Sequence, residues 1–129
     1  MYHAGERKQD CESVLGIICL SACLAGEVAR ALNRQQYDEA KTVALKYLEL
    51  FGEGNYYLEM QDHGIPEQQT VNQGLMRLSR ETGIPLVVTN DCHYTNREDA
   101  DSHDVLLCIQ TGKKLNDEDR MRFETQEFY

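Results

Sequence analysis

The chain has 129 residues, enough for one domain or part of one, with 27% charged residues, no Trp and a formal net charge of −9. That charge argues against direct binding of nucleic acid, which relies on Lys and Arg meeting phosphate, although an acidic metal site can still meet phosphate through the metal. No stretch is long and apolar enough to span a membrane, and no apolar region follows the charged start Met1–Asp10 as a signal peptide would need.

Residues 1–14 read as a poorly ordered lead-in. Leu15–Ser21 is the first strand candidate; Ala22–Gly26 turns out of it, and a short helix is predicted from Glu27 to Asn33. Asp38 suits the N-cap of a second helix, on which Ala40, Val43, Ala44, Tyr47, Leu48 and Phe51 recur on one face before Gly52 ends it. Tyr56–Met60 is a second strand running into Gln61-Asp62-His63-Gly64, and Pro66 opens a third helix with Val71, Leu75, Leu78 and Thr82 inward and Gly83 as its stop. Leu86–Thr89 is an apolar, partly β-branched run without alternation, the pattern of a buried parallel strand. Asn96 caps a last helix whose apolar face is Val105, Leu106 and Ile109 and whose stop is Gly112. The segment from Lys113 to Tyr129 is charged and without period.

Strands alternating with helices imply parallel strands and right-handed crossovers. Three strands cannot close a barrel, and an isolated parallel sheet leaves two edges open. The reading is therefore α/β with parallel strands, a piece of a larger α/β fold or one that must dimerise.

The residues suited to chemistry follow the strands: Cys23 after the first, Asp62 and His63 after the second, Asp91 and His93 after the third. In parallel α/β folds the carboxyl ends of the strands share one rim, where sites form. Asp91-Cys92-His93 places a carboxylate and an imidazole two apart, aimed at one point if the segment stays extended. With the Cys23 thiolate they form a zinc-type donor set, and a zinc ion there would lower the pKa of a bound water to about 7. The plain alternatives are a core thiol, a turn histidine at His63, a half-exposed strand residue at Glu59, and a loop Asp beside a half-exposed His. Of the five cysteines, Cys11, Cys19, Cys23, Cys92 and Cys108, no two form a CxxC pair, which argues against a zinc ribbon; Cys19, Cys92 and Cys108 read as buried thiols in a reducing cytosol.

Five segments, Leu20–Glu27, Tyr57–Pro66, Val88–Tyr94, Leu107–Lys113 and Arg120–Phe123, together resemble successive motifs of one family, the polymerase and histidinol phosphatase (PHP) domain at the N-terminus of bacterial DNA polymerase III alpha subunits. The resemblance runs from about Gly16 to the end and implies the C-terminal half of that domain. It implies an incomplete parallel (βα) barrel, part of a distorted seven-stranded PHP barrel, with residues 1–14 outside the family, 15–112 as a partial PHP domain of three βα units, and 113–129 as an exit toward a polymerase body. By motif, Cys23, Asp91 and His93 correspond to metal ligands, with Glu59 and His63 at the rim. The implied cofactor is Zn2+, or Mn2+ or Mg2+ in the complete domain. The implied activity is metal-dependent 3′–5′ exonuclease within a DNA-synthesising, cytoplasmic replicase. Its implied partners are the rest of the polymerase chain, DNA through that polymerase, and other replicase subunits, with no membrane. The family's opening His-x-His is absent, as are the polymerase carboxylates. Two other readings are a non-catalytic scaffold domain and a free-standing PHP-type phosphoesterase; the Gln110-Thr111-Gly112 and Arg120–Phe123 segments argue against the latter.

Overall fold

A computed structural model describes residues 16–123 and 125–129 of the chain. In order it contains β1 (Cys19–Leu20), α1 (Glu27–Asn33), α2 (Tyr37–Phe51), β2 (Tyr56–Met60), α3 (Pro66–Thr82), β3 (Leu86–Val88), a 3-10 turn (Arg97–Asp99) and α4 (Ala100–Thr111). The sheet order is β1-β2-β3 and both pairings are parallel. Cys19 lies opposite Tyr56, and Leu58, Glu59 and Met60 lie opposite Leu86, Val87 and Val88. This is a mixed α/β architecture consistent with part of a (βα) barrel.

Period-two alternation on β2 buries Tyr56 and Leu58 while Tyr57 and Glu59 stay partly exposed. The buried side chains meet α1, α2 and α3 in one core that includes Val28, Leu32, Ala44, Val71, Leu75 and Leu78. The small Ala40 and Ala44, both fully buried, let α2 approach closely. Helix α3 begins where Pro66 costs no hydrogen bond and ends at Gly83, left-handed at φ 75°, whose N–H donates to the Ser79 carbonyl at 2.9 Å. Its predicted inner residues Val71, Leu75 and Leu78 are buried; each is expected to contribute about 1.5–3 kcal/mol by leaving water.

Five expectations are corrected. The third strand, read as buried, is largely exposed, because among the described residues it lies at the edge of the sheet. The first strand is only Cys19–Leu20 among the described residues, shorter than Leu15–Ser21, because its outer edge carries no partner strand there. Gln36 rather than Asp38 precedes the first turn of α2; Asp38 and Glu39 sit inside that turn, where the helix dipole favours carboxylates. Cys92 is exposed, because the chain leaves the sheet at Val88 and turns; Cys108 is buried and Cys19 half-buried. On α4, Val105, Leu106 and Ile109 face solvent, with exposures of 42%, 60% and 73%. The buried face is Leu107 and Cys108, with Asp104 held by Arg120 from the C-terminal segment, so α4 packs through its mixed face instead of its most apolar one. Residues 1–14, expected to be poorly ordered, lie outside the described residues.

Candidate functional site

Asp91 and His93 converge. Asp91 Oδ1 lies 3.6 Å from His93 Nε2, and both side chains are about one-third exposed. Two ligands at 2.0–2.2 Å from one tetrahedral ion lie roughly 3.4 Å apart, so the pair is close to a chelating separation. The convergence does not come from an extended segment. Asp91 is left-handed at φ 43°, and the turn there folds the imidazole back toward the carboxylate.

Cys23, half-exposed, lies in the turn between β1 and α1. That turn is tight: a Cβ on Gly26 would stand 2.4 Å from the Ser21 carbonyl oxygen and 3.1 Å from that of Cys23. Cys23 and Asp91 face a common cavity of about 430 Å³, which Gln61, Met121, Phe123 and Phe128 also line. Among the described residues, no three His, Cys, Asp or Glu side chains come close enough together to hold one ion. The fit to a metal is thus a chelating pair, with a thiol on the wall of the same cavity.

Glu59 lines a narrow recess with Cys23 and Gln68. Its carboxylate accepts a very short hydrogen bond from the Thr89 hydroxyl and another from Gln61 Nε2 at 3.2 Å. His63 is fully buried and stacks on Phe128 with ring centroids 3.9 Å apart. Gln68 Oε1 accepts the His63 backbone N–H at 2.7 Å, which fixes the amide so that its NH2 donates to His63 Nδ1 at 2.7 Å. Nε2–H therefore donates to the Asn90 carbonyl, also at 2.7 Å. With both ring nitrogens used, His63 holds the third strand's exit in place and offers no lone pair to an ion.

The C-terminal segment crosses this rim. Phe123 meets His93 and His103 edge-on, at 4.7 and 4.8 Å between centroids. Burial and the neighbouring His93 hold His103 below the usual histidine range. Arg120 forks onto Asp104 at 2.5 and 2.7 Å, and that hydrogen-bonded pairing holds the Asp104 carboxyl below its ordinary value. The sequence reading missed Gln68, Asn90, His103 and Phe128. The aromatic content of an otherwise charged tail, Phe123 and Phe128, was the signal available for the last.

A half-buried thiol, a carboxylate and an imidazole thus follow the ends of parallel strands, and residues 2–63 match the PHP domain family. That range takes in residues 2–14, which the motifs had set outside the family. The chain is 46% identical over 114 residues to the DNA polymerase III subunit alpha of Borreliella burgdorferi, covering 88% of the chain and 10% of that protein. It is 49% identical over 114 residues to that of Treponema pallidum, with the same two coverages, and 47% identical over 114 residues to that of Deinococcus radiodurans, covering 88% and 8%. The chain corresponds to a segment of these alpha subunits, spanning about a tenth of the length of the curated relatives it matches.

Proposed function

We propose that the chain is part of the PHP domain of a bacterial replicative DNA polymerase alpha subunit, and that its rim contributes Cys23, Asp91 and His93 to a metal centre serving 3′–5′ exonuclease chemistry. The observation that carries this reading is the 3.6 Å approach of His93 to Asp91, which lines the same cavity as Cys23. A zinc, manganese or magnesium ion would supply Lewis acidity toward a phosphodiester. The chain's own contribution is to hold the donors, to keep Glu59, which shares a recess with Cys23, fixed by Thr89 and Gln61, and to line the cavity with Phe123 and Phe128. In this reading residues 15–112 are the C-terminal half of the domain, residues 113–129 lead toward the polymerase body, and the partners are that body, DNA and other replicase subunits in the cytoplasm.

A second reading is a scaffold domain without chemistry. It is favoured by His63, whose ring nitrogens are both committed, and by the absence of a three-residue donor cluster among the described residues. Zinc content separates the two. Stoichiometric zinc in the purified chain that disappears in a Cys23→Ala, Asp91→Ala, His93→Ala variant supports the metal centre; no zinc in either supports the scaffold.

A further inference from the structure

We infer that Asn90 and Phe128 are positioning residues: the Glu127–Tyr129 segment clamps the turn that sets the Asp91–His93 pair. This rests on the reading of that pair as metal ligands. A non-glycine residue in the left-handed region persists only where its surroundings over-determine it, and Asp91 is such a residue. Two restraints meet on this turn. From the core, His63 Nε2–H donates to the Asn90 carbonyl. From the C-terminal segment, the Phe128 carbonyl accepts the His93 N–H at 2.7 Å and, more weakly, the Tyr94 N–H at 3.4 Å. The Asn90 side-chain NH2 donates to the backbone oxygens of Glu127 at 3.2 Å and Tyr129 at 2.5 Å. Phe128 joins the two restraints, because its ring stacks on His63 while its carbonyl holds His93.

The consequence is directional. Peptide groups on both sides of Asp91 are pinned, so the carboxylate and imidazole meet without paying to order the turn on binding. Freeing the clamp leaves both donors in the chain but lets the turn relax toward extended backbone, where Asp91 and His93 separate. Groups that orient metal ligands without touching the ion typically change affinity 10- to 100-fold when removed.

The test uses the full chain, with Zn2+ titration, Co2+ visible absorption as a report of ligand geometry, and amide hydrogen exchange at His93. Asn90→Ala removes an exposed amide and keeps the fold; Phe128→Ala removes the joint. Both variants are expected to lose His93 amide protection, to bind Zn2+ at least tenfold more weakly and to change the Co2+ spectrum. Cys23→Ala is expected to weaken Zn2+ binding with His93 protection unchanged. Unaltered Zn2+ affinity and Co2+ spectrum in Asn90→Ala, with its melting temperature retained, would overturn the inference even if Asp91→Ala abolishes binding. Equal Zn2+ uptake by the unaltered chain and by Asp91→Ala would overturn the metal reading and this inference with it.

Discussion

His63 links two parts of the chain through a single ring. Replacing it with Ala would take the ring partner from the Gln68 NH2 and from the Asn90 carbonyl and leave a void beside Phe128. Unpaired buried polar groups cost about 1–3 kcal/mol each, so His63→Ala is expected to destabilise the chain by roughly 3 kcal/mol, read as a lower urea midpoint. A shift equivalent to less than about 0.5 kcal/mol, the ordinary range for surface substitutions, would refute the pinning role. Glu81 offers a pH readout. Hydrogen bonds from Lys41 and Arg77, each 2.8 Å, hold its carboxyl down to about 2. A depressed carboxylate stabilises the fold above its unfolded pKa, and that contribution is lost as pH falls through the folded value. Stability should therefore decline between about pH 4.5 and 2, and in Glu81→Gln that decline should be shallower; an unchanged acid profile would contradict the pairing. At this scale the sequence made Asp91 and His93 legible as partners because the motif keeps them two apart. The backbone that joins them was not legible, since a left-handed Asp depends on contacts from residues more than thirty positions away.

Among the elements, the turn between β1 and α1 is the least tolerant of added volume. A side chain at Gly26 would drive a Cβ into the Ser21 carbonyl, and backbone cannot move aside as a side-chain tip can. Gly26→Ala is expected to cost at least about 2 kcal/mol in chemical denaturation and to displace Cys23; a neutral result would show that the turn is softer than its geometry implies. Helices α1, α2 and α3 were readable because each has a clear apolar face or stop: Val28 and Leu32 on α1, Ala40 and Ala44 on α2, Pro66 and Gly83 around α3. Helix α4 was misread because periodicity identifies the apolar face but not whether anything covers it. Val105, Leu106 and Ile109 form the greasier stripe, yet the C-terminal segment attaches to the opposite side through Asp104 and His103.

For the molecule as a whole, the uncovered surfaces matter most. Among the described residues β1 and β3 are edge strands, and Ile18, Val88, Leu106 and Ile109 are all more than half exposed. Open edges and apolar side chains favour pairing with other chains, so the isolated chain is expected to self-associate with rising concentration in sedimentation velocity. Val88→Lys, on the β3 edge, should shift the distribution toward monomer; a wild-type chain monodisperse at high concentration would contradict this. The α/β class and the parallel strands were legible from the alternation of strands and helices. The path of the C-terminal segment was not, because charged, aperiodic sequence carries no signal of where it docks.

That path has a consequence for synthesis on the ribosome. The amide of Asn90 is tied to the Glu127 carbonyl, 37 residues further along the chain. At roughly 5–20 residues per second, the turn bearing Asp91 and His93 waits about 2–7 s for its last partner to be made, and then for that partner to clear the exit tunnel. During this interval the nascent chain holds a formed helical core and an unfinished rim. Nascent chains stalled before Phe128 emerges should be cut by protease between Asn90 and Tyr94, while nascent chains from which residues 127–129 have emerged should resist cleavage there.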